Sequence, residues 1–261
     1  MSKRRIVRYS GTETETVDDV LVDEGPVEFR LEGVPVAVLM RTPGNDEELG
    51  LGFVITEGIV LGPHEVDSIA EVPGSKNGDR YSVNLHEGVA IDPEQFRRNV
   101  FASSSCGVCG KASIDAVRVA ARHVPADPTI DRQTIYDMPA AMRSGQAAFD
   151  ASGSIHAAAA FDSDGTLVAL REDVGRHNAV DKLVGHLARK VWPIPPTVMM
   201  VSGRISFEMV QKAAVAGIPI ICGVSGASSL AVELGEELGM TVVGFVRGTQ
   251  FNVYSGVNRI V

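Results

Sequence analysis

Two of the chain's three cysteines stand three apart in Cys106-Gly107-Val108-Cys109, inside the polar run Ser103-Ser104-Ser105-Cys106-Gly107-Val108-Cys109-Gly110-Lys111. A thiol is among the most readily buried side chains, so a pair placed in a Ser/Gly loop calls for a chemical reason. Three chemistries use this spacing: half of a metal site, a redox pair, or a nucleophile with a neighbouring thiol. The following segment, Ala112 to His123, carries Ile114, Val117 and Ala121 at helical spacing. The pair would then precede a helix N-terminus, whose partial positive charge, together with Lys111, favours thiolate over thiol.

A structural zinc site needs four ligands, and the pair supplies two. The third cysteine, Cys222, ends an apolar strand and reads as core; among the histidines, His156 and His177 are the recruits within reach of an argument, and no second close pair exists. No metal is therefore expected. A zinc deaminase would need H-x-E followed by P-C-x-x-C, but here His156 is followed by Ala157 and Ala158 and the cysteines lie upstream. A thioredoxin-like pair needs a compact strand–CxxC–helix unit, which this position does not offer. A sulfur carrier remains, in which a thiolate takes up an activated sulfur as a persulfide and passes it on.

A second group of residues could hold an anion. Four predicted strands are followed by loops rich in glycine, serine or arginine: Ser202-Gly203-Arg204, Gly223 to Ser229, Arg247-Gly248-Thr249-Gln250, and Glu172 to Asn178. Backbone amides exposed by glycine, serine hydroxyls, helix N-termini and bidentate arginine all suit phosphate oxygens. Arg204 and Arg247 are placed alike. Together they predict a pocket for a phosphorylated ligand, with neither a P-loop nor a GxGxxG turn. Asp173 and His177 read equally well as acid/base groups or as the start of a helix, whereas Lys182 and Glu208 read as helix-face residues, with Glu208 near enough in sequence to orient Arg204.

The elements that must position these residues divide the chain in three. Residues 1–100 read as a β-rich region, with strands at Val27–Leu31 and Val34–Met40 around a Glu32-Gly33 turn, a helix from Asp46 to Gly58 capped by Asn45, and a strand at Tyr81–His86. Residues 101–124 hold the cysteine loop and its helix, and Pro125 to Pro139 reads as a connector. From 125 to 261 strands and helices alternate: strands at Ser154–Phe161, Thr166–Arg171, Thr197–Val201, Ile218–Cys222 and Thr241–Val246, helices at Arg176–Lys190, Ile205–Ala216 and Ser228–Leu238. That alternation predicts an α/β domain with a mainly parallel sheet, whose ligand lies beyond the strands' carboxyl ends. With 261 residues, 44% of them hydrophobic, and a net charge of −9, the chain has the composition of a globular protein whose field repels nucleic acid. No membrane span or signal segment is expected, and three cysteines suit the reducing cytoplasm.

Several stretches together resemble the formate dehydrogenase accessory protein family known as FdhD: Thr42 to Val60 (TPGNDEELGLGFVITEGIV), Ser103 to Lys111 (SSSCGVCGK), Arg171 to Gly185 (REDVGRHNAVDKLVG), Val201 to Ala213 (VSGRISFEMVQKA) and Gly223 to Tyr254. The resemblance spans nearly the whole chain in the same order. It implies a sulfurtransferase that receives sulfur from a cysteine desulfurase as a persulfide on Cys106, with Cys109 as its partner. The acceptor would be the molybdenum (or tungsten) bis-pterin guanine dinucleotide cofactor, carried as cargo before its insertion into formate dehydrogenase. It further implies a cofactor-binding segment at Phe245, Val246, Arg247, Gly248, Thr249 and Gln250, a cytidine-deaminase-like larger domain, and a homodimer. With the loops above, the expected binding set adds Ser202, Gly203, Arg204, Ser225, Gly226 and Ser228. A non-catalytic cofactor chaperone and a thiol–disulfide redox protein remain the alternatives.

Overall fold

The computed structural model describes residues 1–75, 78–92, 96 and 128–261. Cys106, Cys109, the predicted helix after them and the start of the predicted connector lie outside the described residues.

The chain opens with a two-stranded ribbon, β1 (Ser2–Ser10) and β2 (Glu13–Leu21). Strands β3 (Gly25–Leu31), β4 (Val34–Arg41), β5 (Val66–Glu71) and β6 (Arg80–Leu85) form a second sheet in the order β4-β3-β6-β5. Helix α1 (Asp46–Thr56) lies between β4 and β5 in sequence. The Glu32-Gly33 turn is as read, with both residues in the left-handed region. Asn45 does stand at the N-cap of α1, but its side chain caps nothing. Asp46 takes over instead: one carboxylate oxygen accepts the Gly44 amide, and the other pairs with the buried Arg41 at 2.6 Å.

The third sheet runs β12-β11-β10-β9-β7-β8, built from β7 (His156–Phe161), β8 (Leu167–Asp173), β9 (Val198–Val201), β10 (Ile220–Gly223), β11 (Thr241–Arg247) and β12 (Gln250–Ser255). It is mixed, which corrects the mainly parallel reading. Only β9, β10 and β11 pair in parallel; β7 is antiparallel to both neighbours, and β12 to β11. Short turns join β7 to β8 and β11 to β12, and a short turn permits only antiparallel pairing. Helix α4 (Arg176–Lys190) then carries the chain from β8 across β7 to β9. Helices α5 (Phe207–Val215) and α6 (Ser229–Glu237) provide the next two crossovers.

The second half of the stretch read as a connector belongs to helix α2 (Arg132–Ser144), with Pro139 inside it; the short α3 (Ala147–Ser152) follows. An interior proline ordinarily costs about 3 kcal/mol. Two features offset it. Asp131 accepts the Gln133 amide at 2.7 Å and caps the helix, while Ile135, Met138 and Met142 bury one stripe on the sheet.

Both faces of the six-stranded sheet are covered, and the strands alternate accordingly. Ala158, Ala160, Met199 and Val201 face a core shared with α1, α4, α5 and the inner residues Val27, Phe29, Leu31 and Val83 of the smaller sheet. Ala157, Ala159, Phe161, Val198 and Met200 face α2. Among the described residues, no helix is long and apolar enough to cross a membrane.

Candidate functional site

Because β8 and β9 are each antiparallel to β7, strands β8, β9, β10 and β11 all run the same way. The four loops singled out in the sequence therefore leave one edge of the sheet. Three of them are stitched into a single rim. The Val224 amide donates to the Val201 carbonyl, Ile205 to Gly226, Ser228 to Ile205, and Phe245 to Ser225. The Arg247 guanidinium adds a bond from Nε to the Val224 carbonyl at 2.9 Å. Backbone groups that would otherwise need water are thus satisfied, and the loops hold a fixed shape.

A cleft of about 430 Å³ opens beside this rim. His156, Ser202, Val174 and Val224 line it from the sheet edge, and Met142, Arg143, Gln146 and Phe149 close it from α2 and α3. The Arg143 guanidinium sits 4.6 Å above the Phe149 ring. Ser202 is held in place by accepting the Ala157 amide at 2.9 Å. Burial, and then the nearby Arg176 charge, push the His156 pKa down, so its imidazole is neutral near neutral pH. Behind it the first turns of α4 and α5 meet, and His177 Nε2 lies 2.6 Å from Glu208 Oε2.

Phe245 carries the conformation most in need of explanation. It has φ 53° within an irregular stretch of the β11–β12 ladder, and the residue is 40% exposed at the rim. Left-handed backbone is uncommon for an aromatic residue and marks a position held by its surroundings. Those surroundings are Gly226, whose added Cβ would stand 2.9 Å from the ring, and Arg247, whose guanidinium lies 5.5 Å from the ring centroid.

The expected binding residues fall into four groups. Phe245, Arg247, Gly248, Thr249, Gln250 and Arg204 are exposed along the rim, while Ser202, Gly203, Ser225 and Gly226 are half-buried within it. Ser228 caps α6 by accepting the Ala231 amide at 3.3 Å. Val246 points the other way: it is buried in the α2-side core, so its side chain cannot meet a ligand. Cys222 is core as expected, and burial pushes its thiol pKa up to about 12.

Two residues read as helix-face decoration are interior. Glu208 is buried against His177. Lys182 is 1% exposed and ion-pairs with Asp173 at 2.7 Å, while Asp173 also accepts the Thr42 and Gly175 amides and the Asn178 side chain. Asp173 is therefore a knot tying the loop before α1 to the sheet edge, and its burial removes it from acid/base work at the cleft. Arg143, Gln146 and Phe149 were missed as lining residues. The signal that could have found them is the Ile135–Met138–Met142 stripe, which carries a helix up to this wall. Among the described residues, no group of three or more His, Cys, Asp or Glu is placed to hold a metal ion.

Comparison with known proteins places this geometry among relatives. The model of the FdhD/NarQ family matches residues 22–261. The sulfur carrier protein FdhD of Streptomyces coelicolor is 46% identical over 267 residues, covering 99% of this chain and 95% of the relative. The protein of the same description from Mycolicibacterium paratuberculosis is 45% identical, covering 99% and 98%. A crystal structure from Desulfotalea psychrophila, assigned as a formate dehydrogenase accessory protein, superposes with a TM-score of 0.80 at 23% identity, covering 100% of this chain and 99% of that one.

Proposed function

The chain belongs to the FdhD/NarQ family, and from that premise we propose that it is a sulfur carrier serving formate dehydrogenase. A cysteine desulfurase presents a persulfide. The Cys106 thiolate attacks its outer sulfur, a new S–S bond forms on Cys106, and the donor cysteine leaves as a thiolate, so no net oxidation or reduction occurs. Cys109 stands three residues on as the partner thiol. The carried sulfur then goes to the molybdenum (or tungsten) bis-pterin guanine dinucleotide cofactor, which is cargo and not a resident group. The likeness of the larger sheet to the cytidine deaminase fold belongs to the same proposal.

The observation that best supports a nucleotide-bearing cargo is the single rim formed by the loops after β9, β10 and β11. It brings together the exposed guanidiniums of Arg204 and Arg247 and the exposed Phe245 ring. Arginine meets phosphate bidentately, and an exposed ring offers a stacking face to a purine. Calorimetric titration with GDP tests it. Arg247→Ala should weaken binding about tenfold or more, the loss of one charge-assisted contact, with the far-UV spectrum unchanged. Equal affinity in wild type and variant would remove the rim from the binding site.

A further inference from the structure

Among the described residues, the ribbon of β1 and β2 pairs with neither of the other sheets. Met1 and Ser2 hold Asp23, β2 packs against α3, and among the described residues no backbone hydrogen bond runs from the ribbon to the body. Its side chains stand almost wholly in solvent, with Val7 55% and Tyr9 76% exposed. The family match begins at residue 22, just beyond it. An isolated two-stranded ribbon is marginally stable in water and is stabilised by further strands or by a packed helix.

We propose that β1 is a docking strand for an extended, acidic segment of a partner protein. β2 meets α3, and among the described residues β1 has no second neighbouring strand. Along its outer edge every second residue turns its N–H and C=O outward, unpaired. β1 carries Lys3, Arg4, Arg5 and Arg8 and no acidic residue, on a chain whose net charge is −9. The register sets Arg4 opposite Asp19 and Arg5 opposite Asp18, yet among the described residues only Arg8 of β1's basic side chains makes an ion pair, with Glu15 at 3.6 Å. Three cations therefore remain for an incoming chain. A second copy is the wrong occupant, because β1 beside β1 would set basic residues against basic residues. A strand added here gains main-chain bonds along the edge, carboxylates against Lys3, Arg4 and Arg5, and apolar contact with Val7 and Tyr9. This inference names a partner class and does not depend on the sulfur-carrier reading.

Fluorescence anisotropy with the full-length protein tests it. The probe is a labelled nine-residue peptide with three consecutive Glu followed by Val and Thr, so that carboxylates reach both faces; its controls are the same peptide N-methylated at alternate amides and its Lys-for-Glu counterpart. Binding of the acidic peptide should weaken about tenfold on N-methylation, about tenfold in the Arg4→Gln/Arg5→Gln variant, and progressively with added salt. The variant should keep the wild-type melting temperature, since both side chains are exposed and neutral glutamines set no like charge against Asp18 or Asp19. No binding, equal binding of the N-methylated or lysine peptide, or binding unchanged in the variant overturns the proposal. So does light scattering in which wild type is a dimer and the variant a monomer, which would make a second copy the occupant.

Discussion

Gly185→Ala is expected to destabilise the protein by about 3 kcal/mol or more, with a fall in Tm of roughly 6–12 °C. Helices α1 and α4 cross where neither carries a side chain. A Cβ on Gly185 would lie 1.9 Å from the Glu48 carbonyl oxygen and 2.9 Å from the Gly52 nitrogen; a Cβ on Gly52 would lie 1.8 Å from the Asp181 carbonyl oxygen. These obstacles are backbone atoms, so no rotamer change relieves them, and the helices must separate. Separation opens the core that joins the smaller sheet to the larger one, where Leu49 and Val54 of α1 meet Leu183 and Val184 of α4. Chemical denaturation of wild type and variant measures the loss. A variant within 1 kcal/mol of wild type would show that the crossing is not as close as described.

Lys212→Met is expected to cost about 3–5 kcal/mol at neutral pH, because it strands a buried carboxylate. Lys212 Nζ donates to Thr56 Oγ1, Glu57 Oε1 and Asp181 Oδ1 at 2.9 Å and to Asp181 Oδ2 at 3.0 Å, and so pins α5 to α1 and α4. Burial alone would lower the Lys212 pKa, but the Asp181 and Glu57 carboxylates outweigh it and hold it above the ordinary lysine range. A pKa raised by folding contributes stability that is complete below the unfolded value, about 10.4, and is lost as pH rises beyond it. Wild type should therefore lose stability more steeply than the variant in that alkaline window. Burial pushes Asp181 in the same direction, upward from its usual value, with Lys212 opposing. Without the lysine this carboxyl is best accommodated neutral, so the variant's deficit should shrink as pH falls toward the carboxylate range. Adding Asp181→Leu should recover part of the loss. Melting curves from pH 4 to 11 check both signs, and a pH-independent deficit would contradict the account.

What was legible in the sequence is what local pattern controls. Helix α4 spans Arg176–Lys190 as its Val180–Leu183–Val184–Leu187 stripe predicts, and β9, β10 and β11 fall within two residues of their expected bounds. Strand direction was not legible, because the alternation of strands and helices from β8 onward hides that β7 inserts between β8 and β9. The ribbon was missed since its residues lack a buried face, and a strand is read from burial alternation. Helix α2 was hidden by Pro139, whose cost is offset by packing on the sheet, and β12 by its short polar start at Gln250. Lys182, Glu208 and Lys212 carried no local sign of burial; their partners Asp173, His177 and Asp181 are supplied by the fold. The carboxyl-edge loops were found for a reason that survives the mixed sheet, because the four strands that feed them still run in parallel directions.

The most direct test of the sulfur-carrier claim is the intact mass of the protein after incubation with a cysteine desulfurase and cysteine, for wild type, Cys106→Ser and Cys109→Ser. Wild type should gain whole sulfur atoms that a thiol reductant removes, and Cys106→Ser should gain none while keeping the wild-type melting temperature. A Cys106→Ser protein that loads sulfur as wild type does, or a wild type that loads none beside a desulfurase active on another acceptor, would contradict the account.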